Sequence, residues 1–582
     1  MLLAAFGQRI QEAELGRPVD LTIARSVADV NHIAVHGGVP ATVARHTHAQ
    51  VAQWLQQHGG EPARVAGHWI AAGQPLQALP WLQQAAGAAR GAVRHREYIQ
   101  FLETKAGIEE EAGELQEAFD SLLPATQERT NVGLPLPDGL AVCDRLDRLA
   151  RTPRQRVQAG LLRAGVHALA GSPAGIAGGL ATLTAAQALD DEQLTMHVHS
   201  ELAKSFTVAG ECALALHHQS QCMAWFEAQG SLQERATGHG GMALALDNLG
   251  RGEEARPHHA SALALALQAG DLQQASVAAA NHARNRVFSG DLEAADQSFV
   301  QSAQLLGAYE HRSSHLPMVH LLRSMVLGHL GRYEEALDHA ELAIETTQAR
   351  RSAHLELAQL RLAACWWHLG QWTRLKQTLA LLPDPAQAIP TVRVGQARLG
   401  WSYVQAHGLG GAVRQQALKT LHEALAALAD VRRPDLRLPL LLDLAGTAED
   451  ADPADALNAA RQVAGQAAAL GYRNVALAAH LRAAELATPW DPRQARREAL
   501  AALELHRQGV RTTALLPAAT WLLPAQALAA AGARAHAADV AAEGRAWLQD
   551  TVSRHVAAPW RAGFLEHNPV NRDLLALASR LA

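Results

Sequence analysis

The residues of this chain that could do chemistry are its 30 histidines and its arginines; only Lys105, Lys204, Lys376 and Lys419 are lysines among 51 basic residues. Imidazole is a common metal ligand, so the histidines raise a metal site first. The densest pairs are His46-x-His48 and His197-x-His199. On a helix, residues two apart point about 200° away from each other, so neither pair chelates one ion. HExxH is absent, and the adjacent pairs His217/His218 and His258/His259 read as surface or groove positions. The arginines suggest different chemistry. The string NHARNRVFSG puts Asn281, Arg284 and Asn285 in the middle of one helix, and Arg323 and Arg361 take similar places later. A guanidinium gives a carboxylate two parallel hydrogen bonds, so a row of this kind would suit an acidic or peptide partner. A solvated helix face would use the same residues. Trp401 joins this set as a groove position, although it and Trp366/Trp367 also suit packing between repeats.

Signatures of catalysis are missing. There is no GxSxG elbow, no reactive cysteine motif and no dinucleotide glycine fingerprint. No lysine follows a glycine, which excludes a GxxxxGK[ST] phosphate loop. GSPAGIAGG (171–179) is glycine-rich but has no strand before it and reads as an inter-helix turn. Glu253/Glu254 and Glu334/Glu335 stand at helix starts, where carboxylates complement the helix dipole. Asp144, Asp147 and Arg148 read as surface pairing on a helix. Cys143, Cys212, Cys222 and Cys365 show neither CxxC spacing nor a framework pattern, so buried reduced thiols are expected. The expectation is a non-enzyme with no cofactor and no metal.

A repeat must position these side chains. A small residue, a glycine seven positions later and an alanine five further on recur as Ala66/Gly73/Ala78, Ala106/Gly113/Ala118, Ala203/Gly210/Ala215, Ala243/Gly250/Ala255, Ala283/Gly290/Ala295 and Ser324/Gly331/Ala336. The glycines at 210, 250, 290, 331, 370 and 410 are spaced 40, 40, 41, 39 and 40 apart. Such a period means stacked helical hairpins. Small residues let two antiparallel helices cross closely, and glycine accepts the left-handed turn that ends the first.

This pattern resembles the tetratricopeptide repeat (TPR), most closely in GRYEEALDHAELAIE. The TPR period is 34, so a period near 40 implies longer helices. Two further segments resemble parts of bacterial STAND-, LuxR- and SARP-type signalling regulators. HTHAQVAQWLQQHGGEPARVAGHWIAAGQPLQALPWLQQAAGAA (46–89), with His48, Trp54, Leu55, His68, Ala72 and Gly73, is similar to the stretch linking their ATPase to a TPR-like array. FLEHNPVNRDLL (564–575) is similar to their closing segment. The resemblance implies a sensing or interaction array, here without the ATPase and DNA-binding parts. In TPR-like superhelices the first helices line the concave face, which is where the resemblance would put Asn281, Arg284, Asn285, Arg323 and Arg361.

Apolar residues make up 48% of the 582, mostly Ala and Leu, and aromatics only 4%, which favours helix over sheet. The net charge of −5 leaves no basic field for nucleic acid. The apolar start of the chain is too short for a signal peptide, and TTALLPAATWLLPAQALAAAGA (512–533) reads as buried hairpin helices rather than a membrane span. The fold expected is all-α: a right-handed superhelix of stacked antiparallel helix pairs, about eleven or twelve in number. Its parts are an N-terminal helical cap or linker (1–60), first repeats (61–126), a Pro/Gly-containing insert with an irregular repeat (127–194), the main array (195–550) and a C-terminal cap (551–582). LLPDPAQAIP (381–390) and RRPDLRLPL (432–440) read as longer loops. The function expected is a cytoplasmic, non-catalytic module binding a protein or peptide in bacterial signal transduction or transcriptional regulation. Rival readings are a small-molecule sensor array, a helical repeat that binds RNA or DNA, and an enzyme with an unrecognised site.

Overall fold

The computed structural model describes residues 41–582 except 93, 132–135, 170–171, 173, 308–315, 351–353, 430–432 and 448–451. Residues 1–40 of the expected N-terminal cap, and Gly171, lie outside the described residues. All regular structure among the described residues is helical, and successive helices pack as adjacent pairs, giving a TPR-like array of helical hairpins. No described helix is long and apolar enough to cross a membrane. The chain divides into two compact units, residues 1–198 and 199–582.

In the first unit, Ala41–Gln57 and Pro62–Ala71 close over Ala52, Leu55, Val65 and Trp69. His95–Glu111 and Leu115–Asn131 meet at the fully buried Ala106, Ala118 and Phe119. An extra helix, Leu136–Leu149, precedes Pro153–Leu169. Arg163 of the latter donates to Asp144 at 2.6 Å and also pairs with Asp147. That surface pairing accounts for the carboxylates of the insert.

In the second unit the crossing residues behave as the spacing demands. Ala243, Ala255, Ala283, Ala295, Ser324 and Ala336 are all fully buried. Ser324 Oγ adds a hydrogen bond to the Ala336 carbonyl across its hairpin, at 2.7 Å. The first helix of each repeat packs on the first helices of its neighbours, as Leu272–Ser289 does on Leu316–His329 and the latter on Leu355–His368. The second helices make no comparable contacts with one another. The first helices therefore take the shorter-radius, inner side of the superhelix.

The superhelix winds back onto itself. Arg511 N donates to Gly290 O at 2.8 Å, 221 residues away. Tyr472 OH donates to Asp247 O at 3.1 Å, and Asn568 Nδ2 to His368 O at 2.8 Å. Tyr333 packs on Phe564 with centroids 5.2 Å apart. With a period near 40, one full turn takes about five and a half hairpins, and the next turn rests on the hairpin corners of the one before.

Three details differ from the sequence reading. Gly410 lies at φ −111° as a helix N-cap, and Gly408, at φ 58°, makes the left-handed turn instead. RRPDLRLPL is not a loop from Pro434 onward: Pro434–Ala445 is a helix with Pro439 inside it. Pro434 sits at the helix start, where no N–H is needed, and burial of Leu438, Leu440 and Leu442 outweighs the cost of Pro439. The 512–533 stretch is one helix, Ala519–Ala530, preceded by a non-helical segment, because the backbone at 511 turns aside to bond Gly290.

Candidate partner-binding site

The histidines form pairs inside hairpins. His199 and His218 approach Nδ1 to Nδ1 at 2.9 Å, His239 and His258 at 2.8 Å, and His320 and His339 at 2.8 Å. Each pair joins the residue four before the small crossing residue to the residue three after the alanine. The same slot holds His480 and Glu498 at 2.7 Å in a later repeat. His48 reaches across to His68 at 2.9 Å in the first unit. The adjacent pairs are thus not surface positions as sets: His218 and His259 are buried, His217 is exposed, and His259 Nε2 bonds the buried Asp247 at 2.8 Å. One hydrogen bond between two imidazoles requires that the accepting ring be neutral, so the pair cannot be doubly protonated. No group of three or more possible ligands able to hold a metal occurs among the described residues.

These pairs give the fold a pH dependence. Burial pulls the pKa of His218, His320 and His339 down to about 4, with neighbouring positive charge adding to it. The native value lies below the unfolded one, so the unfolded chain binds more protons between them. Stability is full above about pH 6.5 and falls as pH drops toward 4, by about 2 kcal/mol at pH 5 for each histidine so depressed. Urea midpoints at pH 7.5 and 5.0 test this. His339→Gln should flatten the dependence, and an unchanged slope would refute it.

The first helices of the second unit carry the unsatisfied chemistry. Among the described residues of 199–582, every buried side-chain nitrogen or oxygen that lacks a hydrogen-bond partner belongs to a first helix. They include His282 Nε2, Arg284 Nε, His329 Nδ1, Arg361 Nε, His368 Nδ1 and Arg482 Nε. Buried polar atoms are ordinarily paired, so their concentration on the first helices marks these helices as suited to a polar ligand.

The polar residues singled out in the sequence separate clearly. Asn285 is buried and donates to Asp247 Oδ1 at 2.6 Å and to Gly252 O at 3.0 Å, which ties one repeat to the repeat before it. Arg284 donates to Asn248 Oδ1 at 3.1 Å and lies over Phe288 at 5.7 Å. Arg323 donates to Asp296 at 2.7 Å and contacts His339 Nε2 at 2.9 Å. Asn281 is half-buried on the same helix as Arg284. Trp401 is buried among Val394, Ala397, Leu421 and Ala424, with Arg414 over its ring at 5.0 Å. Arg361 differs from Arg284 and Arg323. It has no hydrogen-bond or ion-pair partner among the described residues, and protein surrounds it while part of the side chain still meets solvent. Burial lowers its pKa below the ordinary arginine value.

Arg361 is also the centre of a group. His368 lies two helical turns on along the same helix, and burial followed by the charge of Arg361 pushes its pKa down to about 3. His329 packs edge-on against His368 at 4.9 Å and is held well below its usual value, mainly by burial. Arg398, nearby, is neutralised by Asp443 at 2.6 Å and also donates to Ala514 O at 2.7 Å. The guanidinium of Arg361 thus faces neutral imidazoles and paired cations, with no carboxylate of its own. The sequence reading missed His329 and His368. Their signal was available: both stand two positions before a turn glycine, as do Asn248 and Phe288, which touch Arg284.

No protein-family model matches the chain, and no curated protein matches it. Similar solved structures include a Rap protein complexed with competence and sporulation factor, 11% identical, with a TM-score of 0.41 over 67% of this chain and 99% of that one. The quorum sensor NprR of B. thuringiensis, in its apo form, is 15% identical with a TM-score of 0.40 over 60% of this chain and 97% of that one. A STAND protein with a tetratricopeptide repeat sensor from Pyrococcus horikoshii is 12% identical with a TM-score of 0.32, covering 72% and 52%. At these identities and scores the likeness says nothing about ligands, so the site is argued from its own geometry.

Proposed function

We propose that residues 199–582 form a non-catalytic binding module that takes an acidic peptide or acidic protein segment on its inner face, with Arg361 as the anchoring cation. The observation that carries this is the enclosed guanidinium without a carboxylate, set among orphaned polar atoms on the first helices. A carboxylate arriving there would gain a charge-assisted, bidentate pair in a low-dielectric setting. The neutral His329 and His368 would add donors or acceptors without adding charge. A module of this kind suits partner or effector sensing in cytoplasmic bacterial signal transduction or transcriptional control.

The test is fluorescence anisotropy with a labelled Glu-rich peptide and its Gln counterpart. The acidic peptide should bind at least about tenfold more tightly, and that preference should weaken as salt rises. Equal affinity for both peptides would overturn the reading. Free glutarate competing as well as the peptide would favour a small carboxylate effector at the same arginine.

A further inference from the structure

A second place invites a ligand, with a cation of its own, and it shares His329 with the Arg361 group. A cavity of about 210 Å³ opens at the seam where one superhelical turn rests on the next. Glu293 and His329 approach it from corners of one turn, and Arg511, Thr520, Trp521 and Trp547 from the following turn. Trp521 and Trp547 stack on each other with centroids 5.2 Å apart and planes inclined by 28°, and His506 stands T-shaped to Trp521, so aromatic rings flank the cavity. Arg511 supplies the cation. Its Nη1 donates to His506 O at 3.2 Å and Val510 O at 3.3 Å, so its position is fixed by its own chain. The nearest carboxylate, Glu293, stands 3.8 Å from Nη2, beyond hydrogen-bond reach, and its side chain is 55% exposed. His329 Nδ1 is buried without a partner. Burial, with the charge of Arg511 behind it, pushes the His506 pKa down to about 4, so the imidazole beside the arginine is neutral.

An apolar cavity of about 150 Å³ is enough to hold benzene. A larger one, flanked by aromatic rings and one loosely paired arginine, fits a ring that carries an anion. We propose that this seam cavity binds a small aromatic carboxylate, its ring on the Trp521/Trp547 pair and its carboxylate on Arg511. Glu293 swings outward as the ligand enters. Because the two walls come from successive turns, the ligand bridges the seam and stabilises the closed winding of the superhelix.

Tryptophan fluorescence titrations of the full chain with benzoate, benzamide and benzylamine test this, together with Tm at saturating benzoate. Benzoate should quench saturably and raise Tm by a few degrees, since a ligand bound only by the folded state stabilises it. Benzamide should bind about tenfold more weakly, and benzylamine more weakly still. Glu293→Gln removes the competing charge and should tighten benzoate binding by about threefold or more. Arg511→Gln should abolish it. If that variant does not fold, the Glu293→Gln result decides alone, because Glu293 is exposed and contributes little to the fold. Equal binding of benzamide and benzoate, or no tightening in Glu293→Gln, would overturn the proposal, as would the absence of any saturable quench.

Discussion

Gly370→Ala is expected to cost about 3 kcal/mol of stability, and Gly532→Ala only about 1–2 kcal/mol. Both glycines end a first helix in the left-handed region, at φ 62° and 78°, so each alanine meets the same local penalty. The difference lies beyond the turn. A Cβ on Gly532 would meet nothing within 4 Å. A Cβ on Gly370 would strike Gly563 O and lie 2.9 Å from Asn568 N, and these two atoms are hydrogen-bonded to each other. Backbone held in that way cannot retreat as a flexible side chain would, so overpacking adds about 1–3 kcal/mol. Gly290 is in the same position, 2.5 Å from Val510 Cγ1 and 3.0 Å from Arg511 O by the same measure. Thermal and urea unfolding followed by circular dichroism will check this. Equal losses at 370 and 532 would mean that the seam between turns carries no strain and little stability.

These glycines show how far the sequence could be read. Their 40-residue spacing, and the small residues at each hairpin crossing, follow from contacts within one repeat and leave a local trace. The second demand on Gly250, Gly290, Gly331 and Gly370 comes from residues about 200 positions away and leaves none. The closing segment was visible as a block, but its role was not. Phe564 packs on Tyr333, and Asn568 both caps its own helix and donates to His368 O. The histidine slots were legible in principle, since His199, His239 and His320 fall four before the small residue in every copy that carries a pair. Among the polar residues, Arg323 and Arg361 are alike in type and one position apart in their helices, eight and nine residues before the turn glycine. What separates them is Asp296, supplied by another repeat, and only packing reveals it.

That separation predicts opposite outcomes for one substitution at two positions. Arg361→Met should raise stability by about 1–2 kcal/mol and lower affinity for a Glu-rich peptide by at least about tenfold. The side chain is enclosed and unpaired, and burial lowers its pKa, so the folded state bears the cost of desolvating its charge. Methionine keeps much of the packed volume and removes that cost. Arg323→Met should instead lower stability by about 1–3 kcal/mol, because Asp296 loses one of its two arginines and His339 loses a contact. Asp296 keeps Arg332 at 2.7 Å, which limits the loss and should leave the inner face assembled. Unfolding midpoints and peptide anisotropy on both variants are needed together. Destabilisation by Arg361→Met would show that the charge is already satisfied in the free protein, and the anchoring role would fall with it. Greater stability with binding lost is the trade-off a binding cation produces: the free protein carries an unmet charge that only the partner's carboxylate neutralises.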